Sequence, residues 1–193
     1  DQRRPRGVRT RRLQRGVDKL VAAIRPTLGP RPRLVAVNRL LEAKMPELLD
    51  NGGTIAKRIE QLTDPDEDMG AQLVRDMLWR LQDQVGDGTA TAAVLFGSIY
   101  NQGIHYLAAG GNAMRLHRFL GKGLQMVMDE LSGQTVQVSG KDQLALIAAS
   151  LSQDPDLSRL LGEIFDIVGA YGRLEIREGR GRDLEREYVE GMY

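Results

Sequence analysis

The 193 residues carry a net charge of +1, are 41% hydrophobic and 5% aromatic, and include no cysteine. That composition belongs to a soluble globular protein rather than a disordered one, and it excludes a disulfide scaffold, a thiolate metal site and a cysteine nucleophile. His105 and His117 are too few for a histidine metal cluster or a Ser-His-Asp relay; no apolar run reaches the roughly 18 residues of a membrane span, and none follows the basic start as in a secretory leader, so a cytoplasmic protein is expected.

The chain opens on a basic arm. Residues 1–19 hold eight Lys and Arg against Asp1 and Asp18, a net +6, which leaves −5 on the remainder. Such an arm can bind phosphate backbones. No aromatic or RNA-binding signature is interleaved with the arginines, so a solvated tail running into a basic helix face is the more economical reading, and nucleic acid is not an expected partner. Leu13, Val17, Leu20, Val21, Ile24 and Leu28 recur at the helical period, with Gly29-Pro30 as the expected stop. Two strand-like runs follow, 34–37 and 47–49, joined as a hairpin, and then a turn at Asn51-Gly52-Gly53.

Asp64-Pro65-Asp66-Glu67-Asp68 places carboxylates where a helix start favours them. Met69, Leu73, Met77, Leu81 and Val85 form the expected apolar stripe behind it, and Gly86-Asp87-Gly88 breaks the chain. From Thr89 to Ala109 the sequence is apolar on most faces, which predicts a central, buried helix. Gly110-Gly111 ends it, and Asn112 can cap a further helix with Leu116, Phe119, Leu120, Leu124, Val127 and Leu131 as its stripe. Ser132–Thr135 reads as a hinge. Two shorter helices near 142–151 and 155–170 and two strands, 173–177 and 186–190, complete the chain. Residues 1–131 thus read as a mostly helical domain and 132–193 as a smaller α+β domain.

The segment richest in chemistry is Gly86-Asp87-Gly88-Thr89-Ala90-Thr91. Its glycines allow close approach to a ligand, free N–H groups at a helix start suit an anion, and Asp87 suits a hard cation such as Mg²⁺ bridging to it. From spacing alone, an Asp-Gly turn capped by Thr89 explains the same residues more cheaply. The segments Thr27-Leu28-Gly29-Pro30 and Asp50-Asn51-Gly52-Gly53 read singly as a helix stop and a polar turn. No Walker-type or G-x-G-x-x-G fingerprint occurs.

Taken in order, these segments resemble the group I (GroEL-type) chaperonins. The matching run passes from Leu13-Gln14-Arg15-Gly16-Val17 through Pro26–Pro30, Asn51-Gly52, Ile55-Ala56-Lys57, Met69–Val74, Gly86–Thr91 and Ala108–Gly110 to Val189-Glu190-Gly191-Met192. The resemblance implies a mainly α fold: a multihelical equatorial-domain-like bundle with a small β-hairpin over 1–131, followed by a small α+β first segment of the intermediate, or hinge, domain over 132–193. It further implies that the apical domain and the C-terminal equatorial half lie outside these residues, in a protein more than twice as long.

By the resemblance, Thr27, Leu28, Gly29, Pro30, Asn51, Gly52, Asp87, Gly88, Thr89, Thr91 and Ser150 are the nucleotide-binding positions, with ATP and Mg²⁺ as cofactors and Asp87 as the metal ligand. The family has an aspartate where Asn51 stands, and a threonine that helps hold K⁺ where Ala90 stands. The turn after Gly29-Pro30 lacks the usual Lys-Gly, and the main catalytic aspartate belongs to the returning segment, so no catalytic residue is assigned here. The expected function is that of an ATP-dependent protein-folding chaperone subunit in seven-membered rings. Unfolded polypeptide and co-chaperonin would engage only the apical domain. The alternative is a non-catalytic ring or assembly module. Half an equatorial domain would leave an apolar helix face uncovered, so self-association or a covering segment is expected.

Overall fold

The computed structural model describes residues 6–38, 45–169, 171–179, 181, 183–189 and 191. The chain forms two compact units, divided between Val127 and Met128. Among the described residues no helix is long and apolar enough to cross a membrane.

The first unit is built on two helices, α1 (Arg6–Ile24) and α3 (Pro65–Val85). Val17, Leu20 and Ile24 of α1 pack on Ala71, Val74 and Leu78 of α3, and all six are essentially inaccessible to solvent. The two backbones meet at a pair of glycines. A Cβ on Gly16 would overlap the Glu67 carbonyl, and one on Gly70 would overlap the carbonyl of Leu13. The buried face of α3 is therefore Gly70, Ala71, Val74 and Leu78, not the expected stripe. Met69, Leu73 and Val85 are exposed, because the close crossing admits small residues where the larger ones would collide.

Ion pairs flank this crossing. Arg9 lies 3.4 Å from Asp66, Arg12 pairs with Asp64, and Lys19 reaches the buried Glu67 at 2.5 Å, with Arg15 3.9 Å away. Asp64 also caps α3, accepting from the Asp66 and Glu67 N–H groups at 2.9 and 3.3 Å. The basic part of the arm from Arg9 to Lys19 is thus largely spent on the acidic start of α3. Arg3 and Arg4 lie outside the described residues.

Helix α1 stops earlier than expected, at Ile24. A 3₁₀ turn, Arg25–Thr27, follows with Pro26 inside it, and Leu28 is exposed. Strands β1 (Val35–Val37) and β2 (Glu47–Leu49) pair antiparallel in the register Val35↔Leu49; residues 39–44 between them lie outside the described residues. The expected turn at Gly52-Gly53 is instead the first turn of a short helix, α2 (Gly52–Arg58), which adds Ile55 and Ala56 to the core.

Arg75 of α3 ties down the chain after α2, donating to the Ile59 carbonyl at 3.0 Å and to Asp68 at 2.9 Å. Asp68 also accepts from the Leu62 N–H at 3.0 Å.

Helix α4 (Thr89–Ala108) crosses α1 at Gly97, which fits against Val21. Asn101 joins them polarly, accepting from Gln14 and donating to Asp18, both at 2.7 Å. The expectation that α4 is buried on nearly all faces is not met. Only Thr89, Ala93 and Gly97 are buried, while Leu95, Ile99 and Leu107 are exposed because α1, α2 and α3 cover one side only. Helix α5 (Ala113–Gln134) has no buried residue, and Leu120, Leu124, Val127 and Leu131 face solvent. Phe119 does not share that stripe; Arg115 and Lys122 lie against its ring at 5.5 and 5.9 Å.

In the second unit, the expected hinge at Ser132–Thr135 begins as helix. Residues 132–134 continue α5, and the Ser132 and Thr135 hydroxyls bond back to the Met128 and Leu131 carbonyls at 2.9 and 2.8 Å. Helices α6 (Lys141–Ser152) and α7 (Pro155–Val168) form a hairpin, closed where Gly162 meets Ala145 and the Lys141 carbonyl. Asp154 caps α7, accepting from the Asp156 and Leu157 N–H groups at 3.0 and 3.1 Å. The strands expected at 173–177 and 186–190 are not formed among the described residues; Glu190 lies outside them. A two-stranded pair is marginal by itself. The charges there find other partners, Arg177 with Glu175 and Arg186 with Glu163 of α7 at 2.9 and 2.5 Å.

The glycine crossing inverts the usual effect of a helical Gly→Ala change, which is a gain of roughly 1 kcal/mol. Gly70→Ala is expected to cost about 1–3 kcal/mol through overpacking against backbone. Gly121→Ala, where a Cβ meets nothing within 4 Å, is expected to stabilise by about 0.5–1 kcal/mol. Urea unfolding of both variants checks this; destabilisation of the same size at the two positions would refute it.

A second prediction concerns acid. Burial opposes the charge on Asp68, but hydrogen bonds from Arg75 and the Leu62 N–H, with the Arg75 charge, hold its pKa below the usual 3.8. A lowered folded-state pKa gives stability that is complete above the unfolded value of about 3.9 and lost as pH falls through the folded one. Asp68→Asn should therefore destabilise at neutral pH and flatten the acid limb of a stability-against-pH curve.

Candidate functional site

The corner between α3 and α4 is made by two glycines in the left-handed region, Gly86 at φ 81° and Gly88 at φ 82°. Gly86 closes α3, donating to the Gln82 carbonyl at 3.0 Å. Gly88 is the N-cap of α4 and offers no side chain to its first-turn N–H groups. Those donors are therefore without a side-chain cap, the arrangement that favours an anion at a helix start. Between the glycines stands the exposed carboxylate of Asp87, one oxygen of which accepts from the Gly88 N–H at 2.6 Å.

The start of α2 packs against this corner. A Cβ on Gly52 would lie 3.2 Å from the Thr89 hydroxyl oxygen, 3.3 Å from the Ala90 nitrogen and 2.7 Å from an Ile24 methyl. Only glycine lets two helix starts approach this closely. The Thr27 hydroxyl is buried and donates to the Ile24 carbonyl at 2.8 Å. Thr27, Gly52 and Thr89 are thereby gathered around Ile24, while Gly88 and Asp87 continue the chain from Thr89.

The remaining expected residues fall less closely. Leu28, Gly29 and Pro30 form an exposed loop, with Gly29 at φ 107° and the loop closed by the Arg33 N–H donating to the Pro26 carbonyl at 3.1 Å. Thr91 is exposed on the first turn of α4. Asn51 is an N-cap: its side-chain oxygen accepts from the Thr54 N–H at 3.0 Å and from the Thr54 hydroxyl at 3.4 Å. Its carboxamide is thus engaged in holding α2, and Asp50 beside it is exposed. Ser150 belongs to the second unit, where its hydroxyl donates to the Ile147 carbonyl at 2.7 Å.

One residue at this corner escaped the sequence reading. The Gln82 amide donates to the Gly86 carbonyl at 2.9 Å, and its oxygen is buried, with no partner among the described residues, 2.9 Å from where a Gly53 Cβ would stand. The available signal was its place one helical turn before Gly86.

The donor set can be tested against the expected ligands. An uncapped helix start and a close Gly-Thr contact fit a phosphate group. Among the described residues no three His, Asp or Glu side chains cluster as a metal cage. A single carboxylate fits Mg²⁺, which is commonly held by one or two carboxylates together with substrate phosphates. A groove of about 430 Å³ along α3, beside Arg75 and Trp79, has another lining.

The model of the TCP-1/cpn60 chaperonin family matches residues 20–185. Among solved structures, the chaperonin gp146 from the bacteriophage EL 2 (Pseudomonas aeruginosa), crystallised in the presence of ATP-BeFx, superposes in its crystal form II with a TM-score of 0.69 at 21% identity. That match covers 90% of this chain and 30% of that one. Crystal form I gives a TM-score of 0.64 at 19% identity, over 82% and 28%. The chain therefore spans less than a third of the length of these chaperonin chains, with which it shares the fold.

Gly52→Ala is expected to push the starts of α2 and α4 apart and to cost about 1–3 kcal/mol. The Thr89 and Ala90 amide resonances should shift more than those of the α6–α7 hairpin; shifts spread evenly over the chain would argue against a local contact.

Proposed function

The chain belongs to the TCP-1/cpn60 chaperonin family, and we propose that residues 1–131 supply the phosphate and Mg²⁺ side of an ATP site and residues 132–193 the first part of a hinge, in a cytoplasmic, ring-forming protein-folding chaperone subunit. One observation carries this reading: the α4 start, uncapped behind Gly88, lies against the buried Gly52 with Asp87 at its corner.

In this reading the first-turn N–H groups of α4 hold the phosphates, with the Thr89 and Thr91 hydroxyls beside them, and the positive end of the helix dipole offsets part of their charge. The Thr27–Pro30 loop, joined to Ile24 through the Thr27 hydroxyl, borders the nucleotide. Asp87, one oxygen of which accepts from the Gly88 N–H, would hold the metal. When bound, Mg²⁺ neutralises phosphate charge and fixes the orientation of the phosphates. Ala90 brings no hydroxyl, so little dependence on K⁺ is expected. Unfolded polypeptide and co-chaperonin would be engaged by parts of a full-length chaperonin other than these residues.

A second reading, a nucleotide-binding but non-catalytic assembly module, is favoured by Asn51. A carboxamide cannot accept a proton from water, and this one is engaged as a helix cap. The two readings separate by experiment. Mg-ATP binding measured by titration calorimetry should weaken about tenfold in Asp87→Ala, equivalent to ~1.4 kcal/mol, while binding without metal changes little. Equal binding by the parent and Asp87→Ala would remove the pocket assignment. In the full-length protein, Asn51→Asp should raise ATP hydrolysis if the subunit is a degraded ATPase and leave it unchanged if it is an assembly module.

A further inference from the structure

The first half of α5 carries Arg115, Arg118 and Lys122 on one exposed face, beside Asn112, Met114 and Phe119. All three cations are exposed, and none has an ion pair among the described residues. No acidic residue lies within one helical turn of any of them; Asp129 and Glu130 come only near the far end of the helix. The charge order is the reverse of what the helix dipole favours, which is anionic side chains at the start and cationic ones at the end. A local preference broken with no carboxylate beside the cations points to an external partner.

The aromatic component is specific. Phe119 is 53% exposed and sits between Arg115 and Lys122. At 100° per residue the three cations lie almost opposite the apolar stripe of Leu116, Leu120, Leu124 and Val127, with Phe119 to one side between them, so a segment covering the stripe leaves the cations open. Arg115 to Lys122 spans about 10 Å, the length over which a stacked single strand presents about three phosphates.

We propose that this face of α5 binds single-stranded nucleic acid, with Arg115, Arg118 and Lys122 on consecutive phosphates and Phe119 against a base. Cations that track a backbone beside an exposed ring are the usual parts of such a surface. The site is distinct from the Asp87 corner and from the arm at residues 1–19, whose cations from Arg9 to Lys19 largely face α3.

Fluorescence anisotropy of labelled oligo(dT) on the intact chain, across a salt series, tests this. Three phosphate contacts on a single strand predict a slope of log K against log salt near about −2, and each Arg→Gln or Lys→Gln change should reduce its magnitude by about 0.7. Phe119→Leu should weaken binding about tenfold with the slope unchanged. Circular dichroism confirms that each variant is folded, which the exposure of all four residues favours.

Several outcomes would overturn the proposal. One is no binding at low salt. Another is a parental slope in Arg115→Gln, Arg118→Gln and Lys122→Gln alike. A third is loss of binding in Arg3→Gln/Arg4→Gln while the α5 variants bind normally, which would place the interaction on the arm. Poly-glutamate binding as tightly as oligo(dT) and insensitive to Phe119→Leu would instead make the face an acidic-peptide site. Self-association lost in the α5 variants, without oligo(dT) binding by the parent, would make it a contact between copies.

Discussion

The contact on which the rest of this chain depends is the backbone-to-backbone crossing of α1 and α3 at Gly16 and Gly70. Each glycine faces a carbonyl of the other helix, so the two axes lie closer than any pair of side chains would permit. That proximity sets the remaining choices. It selects Ala71 and Val74 over the larger Met69 and Leu73 for the core. It also brings Arg9, Arg12, Arg15 and Lys19 within reach of Asp64, Asp66 and Glu67. Exposed ion pairs contribute little individually. Here Glu67 is buried and Asp64 also caps α3, so the pairs fix which way α1 lies across α3 as well as offsetting charge.

Helix α1 then positions the candidate site from its other end. Ile24, its last residue, is fully buried, touches Gly52 and accepts the Thr27 hydroxyl. The start of α2 and the start of α4 are held together over it. Two helix starts at one corner concentrate partial positive charge, which by itself is unfavourable and suits a bound anion. The two ends are treated differently: Asn51 caps α2, whereas α4 begins at a glycine with no cap. Capping one and leaving the other open directs the anion-binding capacity to Thr89 and its neighbours. The same geometry explains why Asn51 is tolerated where the resemblance leads one to expect aspartate, because a side-chain oxygen at this position is needed for the cap in either case.

The exposed apolar side chains of α4 and α5 follow from the same arrangement. With α1, α2 and α3 on one side of α4, Leu95, Ile99 and Leu107 have no cover among the described residues, and α5 has none along Leu120, Leu124, Val127 and Leu131. Exposed apolar side chains in this number are unusual on solvent-facing helices.

Much of the fold was legible in the amino-acid sequence because it is locally encoded. Periodicity gave the long helices, Asp64-Pro65 marked a helix start, and Gly86-Asp87-Gly88 marked the corner, since caps and positive-φ glycines act within a few residues. The core face of α3, the partners of the arginine arm, the one-sided burial of α4 and the capping role of Asn51 were decided only in three dimensions. Arg12 and Asp64 are 52 positions apart, and no window on the sequence joins them. The strands expected at 173–177 and 186–190 are not formed among the described residues for the same reason: a segment's composition can suit a strand, but hydrogen bonding to a neighbour makes it one. By itself the sequence determined the chaperonin relationship, the helices and the chemistry available at Gly86–Thr91. The tertiary structure alone decided which of those residues stand together, because two glycines let α1 and α3 approach and everything packed on them had to follow.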